Sequence, residues 1–261
     1  MNEAELVFSD VLNCDRLSLY LNRDKNLTQD KSVLISKILQ RRINAEPLQY
    51  ILGHCEFMGL EFKVDSRALI PRPETEILVE SAINELKASG IDCPKIFDLG
   101  TGSGCIAVSL AKLLPCSIVW AGDISEPALQ LAAENACLHK VEIKFLRGDI
   151  FSALELKKEQ FDLIISNPPY VATSELNSLA KEISFEPVNA LAAGIEGLDF
   201  YAPIINQAQA YLKSSGILAL EVGINQSAQV CAMLDKENFR DIRVIKDYNN
   251  INRLIMARKK E

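Results

Sequence analysis

The feature that most constrains this chain is a regular alternation of apolar segments with helical ones after residue 95. Seven short segments have the composition of strands: residues 96–99, 117–121, 143–146, 161–166, 217–222, 242–245 and 253–257. Helical segments, including residues 105–114 and 127–137, separate the first five of them. Continuously apolar strands that alternate with helices form mostly parallel sheets that are covered on both faces. The sequence therefore predicts an α/β fold.

Residues 1–45 show a different pattern, that of short amphipathic helices. Apolar residues recur there at helical spacing, in the sets Ala4, Leu6, Val7, Val11, Leu12 and Val33, Leu34, Ile38, Leu39. A polar connection is predicted over residues 22–26, and Thr28 is a candidate N-cap for the helix that follows. Because a segment of this size buries little apolar surface alone, we expect it to pack on the rest of the chain or on a partner.

A hairpin and a linker are predicted between these two parts. Residues 57–64 alternate apolar with polar side chains around a turn at Gly59, and Pro71 and Pro73 then hold Arg72 extended. A helix follows, with the apolar face Leu78, Val79, Ala82, Ile83 and Leu86. We expect three parts: a helical domain at 1–54, a hairpin and linker at 55–75, and the α/β domain at 76–261.

The composition argues against several classes of protein. Hydrophobic residues make up 48% and charged residues 24%, which is ordinary for a globular protein. No apolar run of about 18 residues occurs, as a membrane span would require. The acidic N-terminus does not resemble a signal peptide, so a cytoplasmic protein is expected. A net charge of −7 without a basic segment argues against a nucleic-acid partner.

The seven cysteines are scattered and form no C-x-x-C pair, which indicates buried, reduced thiols. Only two histidines are present, and we expect no metal site.

A glycine-rich loop, Gly100-Thr101-Gly102-Ser103-Gly104, follows the first predicted strand of the α/β part. Glycines there permit a sharp turn and let backbone N–H groups approach a ligand at the N-terminus of the next helix. The loop differs from a dinucleotide-binding fingerprint, whose third glycine would fall at Cys105. Asp98 precedes the loop, as in methyltransferases that bind S-adenosylmethionine. Its carboxylate either orders the loop or helps to hold the cationic methionine end.

The tips of the next two predicted strands carry acidic residues. Asp123 is placed to accept hydrogen bonds from both hydroxyls of a ribose, the alternative being a helix N-cap or a solvated turn. Asp149 is placed to accept from an adenine amino group beside an apolar shelf at Ile150, although Gly-Asp pairs also form turns. Open α/β sheets bind ligands at the carboxyl ends of their strands, so we expect the loop and both acidic tips to form one cofactor site.

The tetrapeptide Asn167-Pro168-Pro169-Tyr170 follows the fourth predicted strand and carries the strongest chemical signal. Neither proline has an N–H, so the loop presents acceptors, the Asn167 side-chain oxygen and the Pro168 carbonyl. Two acceptors fit the two protons of a planar NH₂ group, on which Tyr170 can stack. They would orient the nitrogen and stabilise the positive charge that grows on it during attack on a sulfonium methyl group. Glutamine amide, adenine N6, cytosine N4 and guanine N2 all suit the same acceptors.

From about residue 40 the chain resembles the HemK/PrmC-type protein-(glutamine N5) methyltransferases, which modify peptide chain release factors. The matching segments are residues 46–53, 56–60, 69–76, 100–104, 167–170, 185–187, 190–191 and 220–223. The Pro-Arg-Pro-Glu-Thr-Glu stretch at 71–76, together with Asn-Pro-Pro-Tyr, is highly specific, since nucleic-acid methyltransferases share only the latter. The chain departs from the family at Ser184, where relatives often have a basic residue, and at Asn250, where a glycine is expected.

The resemblance implies a seven-stranded, Rossmann-like class I methyltransferase domain, a small helical N-terminal domain that engages the release factor, and a connecting β-hairpin. It implies methyl transfer from S-adenosylmethionine to the glutamine of a Gly-Gly-Gln motif, with S-adenosylhomocysteine as the product. Asn167, Pro168 and Tyr170 are the expected catalytic residues, and Pro169 completes the substrate-binding loop. Gly100–Gly104, Asp123, Ile150 and Asn167 would line the cofactor site.

Two other functions are open to a chain with these motifs. A nucleic-acid amino methyltransferase would use the same loop of residues 167–170, called the acceptor loop below. It would also need a basic surface or an added recognition domain. A cofactor-binding protein without catalytic activity would not need an intact Asn167. Glu186, which precedes Pro187, either orients Tyr170 or the substrate, or caps a turn.

Overall fold

The computed structural model describes residues 2–22, 26–155 and 159–260, so residues 23–25 of the predicted polar connection lie outside the described part. One sheet contains the strands β3 (Lys95–Leu99), β4 (Ile118–Asp123), β5 (Ile143–Arg147), β6 (Phe161–Ser166), β7 (Leu212–Glu221), β8 (Phe239–Lys246) and β9 (Asn252–Lys259). Their order in the sheet is β5-β4-β3-β6-β7-β9-β8. In that order the strands from β5 to β7 run parallel to one another, whereas β9 is antiparallel to both β7 and β8. The predicted seven-stranded α/β sheet is confirmed.

Helices cover both faces of this sheet. They are α5 (Pro73–Ala88), α6 (Cys105–Leu113), α7 (Glu126–His139), α8 (Tyr201–Tyr211) and α9 (Ser227–Lys236). Successive strand residues point to opposite faces, so Ile96 packs with the α5 and α6 side and Phe97 with the α8 and α9 side. This two-sided burial explains why the strands are apolar throughout.

The connection from β5 to β6 differs from the prediction that helices separate the first five strands. Within its described residues, 148–155 and 159–160, the regular structure is a 3₁₀ helix at Ser152–Leu154. The connection also returns the chain from the edge strand β5 to β6, which pairs with β3.

The predicted hairpin is present as β1 (His54–Phe57) and β2 (Leu60–Lys63), with Gly59 in the turn at φ 70°. Arg72 is extended, as predicted, at φ −104° and ψ 143°, and α5 begins at Pro73, within the residues predicted as linker. The side chain of Asn135 in α7 bonds to the backbone of Lys63 and to the carbonyl of Ser103. The hairpin is thereby fixed to the glycine-rich loop.

The N-terminal segment forms four helices, α1 (Glu3–Leu12), α2 (Arg16–Leu21), α3 (Gln29–Ile43) and α4 (Leu48–Leu52). Their small core consists of Val7, Ile35, Ile38, Leu48 and Ile51. The predicted apolar face of α3 is wrong in part. Of its four members only Ile38 is buried, whereas Val33, Leu34 and Leu39 are 44%, 47% and 51% exposed. The buried side chains of α3 are Ile35 and Ile38. Thr28 lies at the N-cap of α3, but its side chain makes no capping hydrogen bond.

The helical segment packs on the rest of the chain through apolar contacts of Tyr50 with Val64 and Ile70 and through several polar contacts. The Arg42 guanidinium lies 2.6 Å from the Glu182 carboxylate. The Tyr50 hydroxyl donates to the Ala68 carbonyl at 2.6 Å. Among the described residues, no helix is long and apolar enough to cross a membrane.

The cysteines are free thiols, but the expectation that they are buried is confirmed only for Cys105. Three are half-buried, namely Cys14, Cys55 and Cys231, and the other three are exposed. Cys93 and Cys116 are exposed because they lie in the turns before β3 and β4, and Cys137 is exposed on the outer side of α7.

Asn250 has φ 61°, in the left-handed region that favours glycine, which explains why the family resemblance predicts a glycine there.

Candidate active site

The glycine-rich loop joins β3 to α6 through three residues with positive φ. Gly100, Gly102 and Gly104 have φ values of 73°, 54° and 80°, which L-residues with side chains rarely adopt. A Cβ atom added to Gly104 would lie 2.9 Å from the Ala132 Cβ, so this glycine also lets the loop approach α7. Residues 100–103 of the loop line a cavity at this edge of the sheet.

Asp98 is fully buried beneath this loop and outside the lining of the cavity that the loop faces. Its Oδ2 accepts hydrogen bonds from the Thr101 hydroxyl at 2.6 Å and the Ala107 N–H at 3.2 Å. Its Oδ1 is buried with no hydrogen-bond partner among the described residues. Burial raises the pKa of Asp98 to about 7. These contacts are those of a residue that orders the loop.

Asp123 ends β4 and faces the glycine-rich loop. Its Oδ2 accepts from the Gly102 N–H and its Oδ1 from the Ser125 N–H, both at 2.9 Å. The N-cap of α7 is Ser125, not Asp123. Burial raises the pKa of Asp123 above its usual value. The carboxylate thus connects two of the three strand tips.

Asp149 and Ile150 follow β5 at the third strand tip. Asp149 is exposed, and its carbonyl accepts from the Ser152 N–H at 2.9 Å. Ile150 has φ 49°, an unusual conformation for a β-branched residue and one that indicates local strain. Strain of this kind concentrates at ligand-binding loops.

The strand tips and the acceptor loop enclose one cavity of about 380 Å³. Residues predicted for the cofactor and substrate sites that line it are Gly100, Thr101, Gly102, Ser103, Asp123, Asp149, Ile150, Asn167, Pro168 and Pro169. Asp98, Gly104 and Tyr170 are outside this lining, the first two because they support the loop from below. The glycine cradle and the acidic strand tips fit S-adenosylmethionine, which has a cationic end, a ribose and an adenine ring.

The acceptor loop is fixed by four hydrogen bonds. The Ser166 hydroxyl donates to the Leu99 carbonyl at 2.7 Å, which joins this loop to β3. The Asn167 side-chain Nδ2 donates to the Thr75 hydroxyl at 3.1 Å. The Tyr170 hydroxyl donates to Glu221 at 3.4 Å, and the Gln226 amide donates to the Tyr170 carbonyl at 2.9 Å. Burial raises the pKa of Tyr170, so its phenol stays protonated.

A second cavity, of about 460 Å³, lies on the other side of the acceptor loop. Asn167 and Pro168 line both cavities, and Tyr170 lines the second. Pro47 and Gln49 of the helical segment contribute to the second cavity. It therefore opens between the helical segment and the sheet edge, with the acceptor loop as its inner wall.

Glu186 also lines the second cavity, and it lies at the C-cap of the 3₁₀ helix Lys181–Phe185, where its N–H donates to the Ile183 carbonyl. Its Oε1 accepts from the Arg72 guanidinium at 2.6 Å, and its side chain is only 2% exposed. Burial raises the pKa of Glu186, and Arg72 opposes that effect. The ion pair joins the extended linker before α5 to the segment that follows the acceptor loop.

Sequence reasoning missed several residues of the two cavities. Thr75, Arg72 and Pro71 come from the linker and α5, and Phe200 and Ile204 come from α8. The first three belong to the Pro-Arg-Pro-Glu-Thr-Glu stretch, whose specificity was the available signal. Phe200 and Ile204 belong to an ordinary amphipathic helix and carry no such signal. The described residues contain no group of three or more metal-ligating side chains.

Family comparisons agree with this geometry. Residues 74–252 match the family model described as methyltransferase small domain, and residues 1–53 match the PrmC N-terminal domain. The release factor glutamine methyltransferase of Fusobacterium nucleatum subsp. nucleatum is 40% identical, over 98% of this chain and 73% of that protein. The protein of the same name from Thermodesulfovibrio yellowstonii is 39% identical, over 99% of this chain and 92% of that protein.

Solved structures show the same fold at lower identity. The catalytic domain of hMettl16, crystallised in complex with a 3′UTR hairpin, superimposes with a TM-score of 0.62 and 18% identity, over 91% of this chain and 95% of that one. This similarity establishes the class I methyltransferase fold. The sequence matches extend over both the helical and the α/β parts, and the chain belongs to the release factor glutamine methyltransferase family.

Proposed function

We propose that this protein transfers a methyl group from S-adenosylmethionine to the side-chain amide nitrogen, N5, of the glutamine in the Gly-Gly-Gln motif of peptide chain release factors, and so modulates translation termination. The observation that carries this proposal is the position of Asn167, which lines both cavities with its Nδ2 bonded to Thr75. Its Oδ1 is thereby turned away from Thr75 and available as an acceptor.

The cofactor belongs in the cavity at the strand tips, where it supplies an electrophilic sulfonium methyl group. The backbone of Gly100, Thr101, Gly102 and Ser103 would hold its methionine part, with Gly104 and Asp98 supporting the loop. Asp123 would accept from the ribose hydroxyls, Asp149 would accept from the adenine amino group, and Ile150 would contact the ring.

The glutamine amide belongs in the second cavity. Asn167 Oδ1 and the Pro168 carbonyl would accept its two N–H protons, Pro169 would keep the loop extended, and Tyr170 would stack on the amide plane. An amide lone pair is delocalised into its carbonyl, so methyl transfer needs the nitrogen oriented and its growing positive charge stabilised. Fixed acceptors supply both effects, and the amide proton leaves to solvent after transfer.

The release factor would dock on the helical domain at 1–54, with the hairpin and linker at 55–75 joining it to the methyltransferase domain at 76–261. Since the second cavity is lined by Pro47 and Gln49, docking there would bring a glycine-rich loop of the partner to Asn167. We expect the protein to act in the cytoplasm and not to use nucleic acid as a direct substrate, because the net charge is −7.

A methyl-transfer assay with labelled S-adenosylmethionine tests this proposal. Purified release factor, its Gly-Gly-Gln→Gly-Gly-Ala variant, and DNA or RNA are offered in parallel. We expect label on the native release factor and on none of the others. Label on nucleic acid with none on protein would establish the amino methyltransferase alternative.

Removing the acceptor tests the role of Asn167. For Asn167→Ala we expect kcat to fall by about 100-fold or more, the loss typical of removing one group that stabilises transition-state charge. Initial rates with release factor measure the loss, and thermal unfolding checks that the variant folds. Asn249→Ala, at an exposed position that lines neither cavity, is the control and should keep its turnover. An Asn167→Ala enzyme with wild-type kcat would refute this role.

A further inference from the structure

The donor side of the Asn167 amide leads into a short chain of buried hydrogen bonds. Asn167 Nδ2 donates to Thr75 Oγ1 at 3.1 Å, and Thr75 Oγ1 donates to Glu221 Oε2 at 2.7 Å. Thr75 and Glu221 are 2% and 1% exposed. The chain joins the acceptor loop, the first turn of α5 and the end of β7, which come from distant parts of the sequence.

The direction of these bonds decides which atom Asn167 presents to a substrate. A hydroxyl has one hydrogen, and an ionised carboxylate only accepts, so the Thr75 hydrogen must point at Glu221. The Thr75 oxygen is then left as an acceptor, and it is the Asn167 NH₂ group that faces it. Asn167 Oδ1 consequently faces the other way, as an acceptor for the substrate.

Without the carboxylate the same hydroxyl would be free to donate to Asn167. The Asn167 amide would then be as stable when rotated by 180°, with Oδ1 toward Thr75 and NH₂ toward the substrate. In that orientation the NH₂ group of Asn167 would face the NH₂ group of the substrate, and neither group could accept a hydrogen bond from the other. The acceptor that the methyl transfer requires would be lost from part of the enzyme population.

Glu221 also reaches the other end of the acceptor loop. Its Oε1 accepts from the Tyr170 hydroxyl at 3.4 Å. Both of these hydrogen-bond partners of the Glu221 carboxylate are neutral hydroxyl groups. Burial of a carboxylate without a charged hydrogen-bond partner lowers the stability of the folded protein. A group retained at such a cost beside a candidate active site indicates function.

Charges on neighbouring elements also act on Glu221. Burial raises the pKa of Glu221 to about 7, while Arg253 in β9 lowers it and Glu74 in α5 raises it. An assay at pH 8 therefore has the carboxylate mostly ionised and acceptor-only.

We propose that Glu221 and Thr75 are positioning residues that hold the Asn167 amide with its oxygen toward the substrate nitrogen. This proposal rests on the methyl-transfer function proposed above. Neither residue touches the reacting atoms in this scheme, and both act through Asn167.

Removing the Thr75 hydroxyl while keeping its shape tests the proposal. For Thr75→Val at pH 8, with release factor as substrate, we expect kcat to fall by about tenfold, the equivalent of one lost buried hydrogen bond. The KM for release factor and the Kd for S-adenosylmethionine, the latter measured by calorimetry, should change by less than about threefold, because binding contacts remain. Thr75→Ser restores the hydroxyl and should recover most of the lost kcat.

A double-mutant cycle separates positioning from general packing. If Thr75 acts through Asn167, Thr75→Val should cost less than about twofold once Asn167 is already alanine, with single-turnover rates as the readout. If Thr75→Val lowered the rate equally with Asn167 and with alanine at position 167, the proposal would be overturned. A Thr75→Ser enzyme as slow as Thr75→Val would overturn it too, as would a Thr75→Val enzyme with wild-type kcat. A wild-type enzyme that labels no release factor would refute the proposed function itself, which is a different result.

Discussion

At the scale of single residues, two buried carboxylates lie under the loops that form the candidate active site. Asp98 supports the glycine-rich loop through the Thr101 hydroxyl, and Glu221 supports the acceptor loop through Thr75. Burial raises the pKa of each carboxyl to about 7. Both loops are thus held by groups that lower the stability of the folded protein when they ionise.

The pH dependence of stability should reveal this cost at Asp98. Between about pH 4 and pH 7 the folded state keeps a proton that the unfolded state has lost, so the free energy of unfolding falls as the pH rises. Asp98→Asn removes the charge, and its free energy of unfolding relative to wild type should rise by about 1–3 kcal/mol between pH 5 and pH 8. Urea denaturation without cofactor at both pH values measures the difference.

Asp235→Asn, at an exposed position of α9, controls for the change of net charge. If the difference in the free energy of unfolding between Asp98→Asn and wild type stayed constant from pH 5 to pH 8, the assignment of Asp98 as a buried carboxyl with a raised pKa would be contradicted.

At the scale of elements, the glycine-rich loop combines an unusual backbone with close packing. Gly104 has φ 80° and its Cα faces Ala132 of α7, whereas Gly53 at the end of α4 has φ 84° and open space around it. The two glycines therefore differ in packing and share the backbone requirement, which makes them a matched pair.

Alanine substitution at the two glycines should separate these effects. Gly53→Ala should cost about 1 kcal/mol of stability, from the left-handed backbone alone. Gly104→Ala should cost about 1–3 kcal/mol more because the added methyl group meets Ala132, and it should weaken S-adenosylmethionine binding. Denaturation and calorimetry measure the two quantities, and equal losses of stability in both variants would contradict the close approach of the loop to α7.

The elements that the sequence predicts well are those with a local signal. Apolar runs identify the strands, and the glycines and prolines identify the loops at 100–104 and 167–170. Thr75 and Glu221 carry no local signal of their contacts, because they are 146 residues apart and meet only when α5 packs against β7. The same reason hides the buried stripe of α3, which depends on how α3 packs against α1 and α4.

At the scale of the whole molecule, the two cavities meet at the acceptor loop and belong to different parts of the chain. The cavity at the strand tips is built mainly by the α/β sheet, and the other lies between the sheet edge and the helical segment. Arg42 of α3 links these parts through Glu182, and it also binds Glu3 at 2.8 Å within the helical segment. The orientation of the helical segment therefore depends in part on one arginine.

Loss of this link should affect binding of the protein partner more than chemistry. For Arg42→Ala we expect the KM for release factor to rise about two- to fivefold, since partly exposed ion pairs contribute below about 1 kcal/mol. The kcat and the Kd for S-adenosylmethionine should stay close to wild type. Arg16→Ala removes an ion pair to Glu5 within the helical segment and is the control. A fall in kcat with unchanged KM would show that the Arg42–Glu182 ion pair acts on the acceptor loop instead.

In the proposed function, the enzyme places the methyl group on the side-chain amide of one glutamine. The most direct test is tandem mass spectrometry of release factor after incubation with the enzyme and S-adenosylmethionine, with Asn167→Ala enzyme in parallel. We expect a single added methyl group on the glutamine of Gly-Gly-Gln, absent with the variant. A methyl group on another residue, or the same yield with Asn167→Ala under initial-rate conditions, would contradict it.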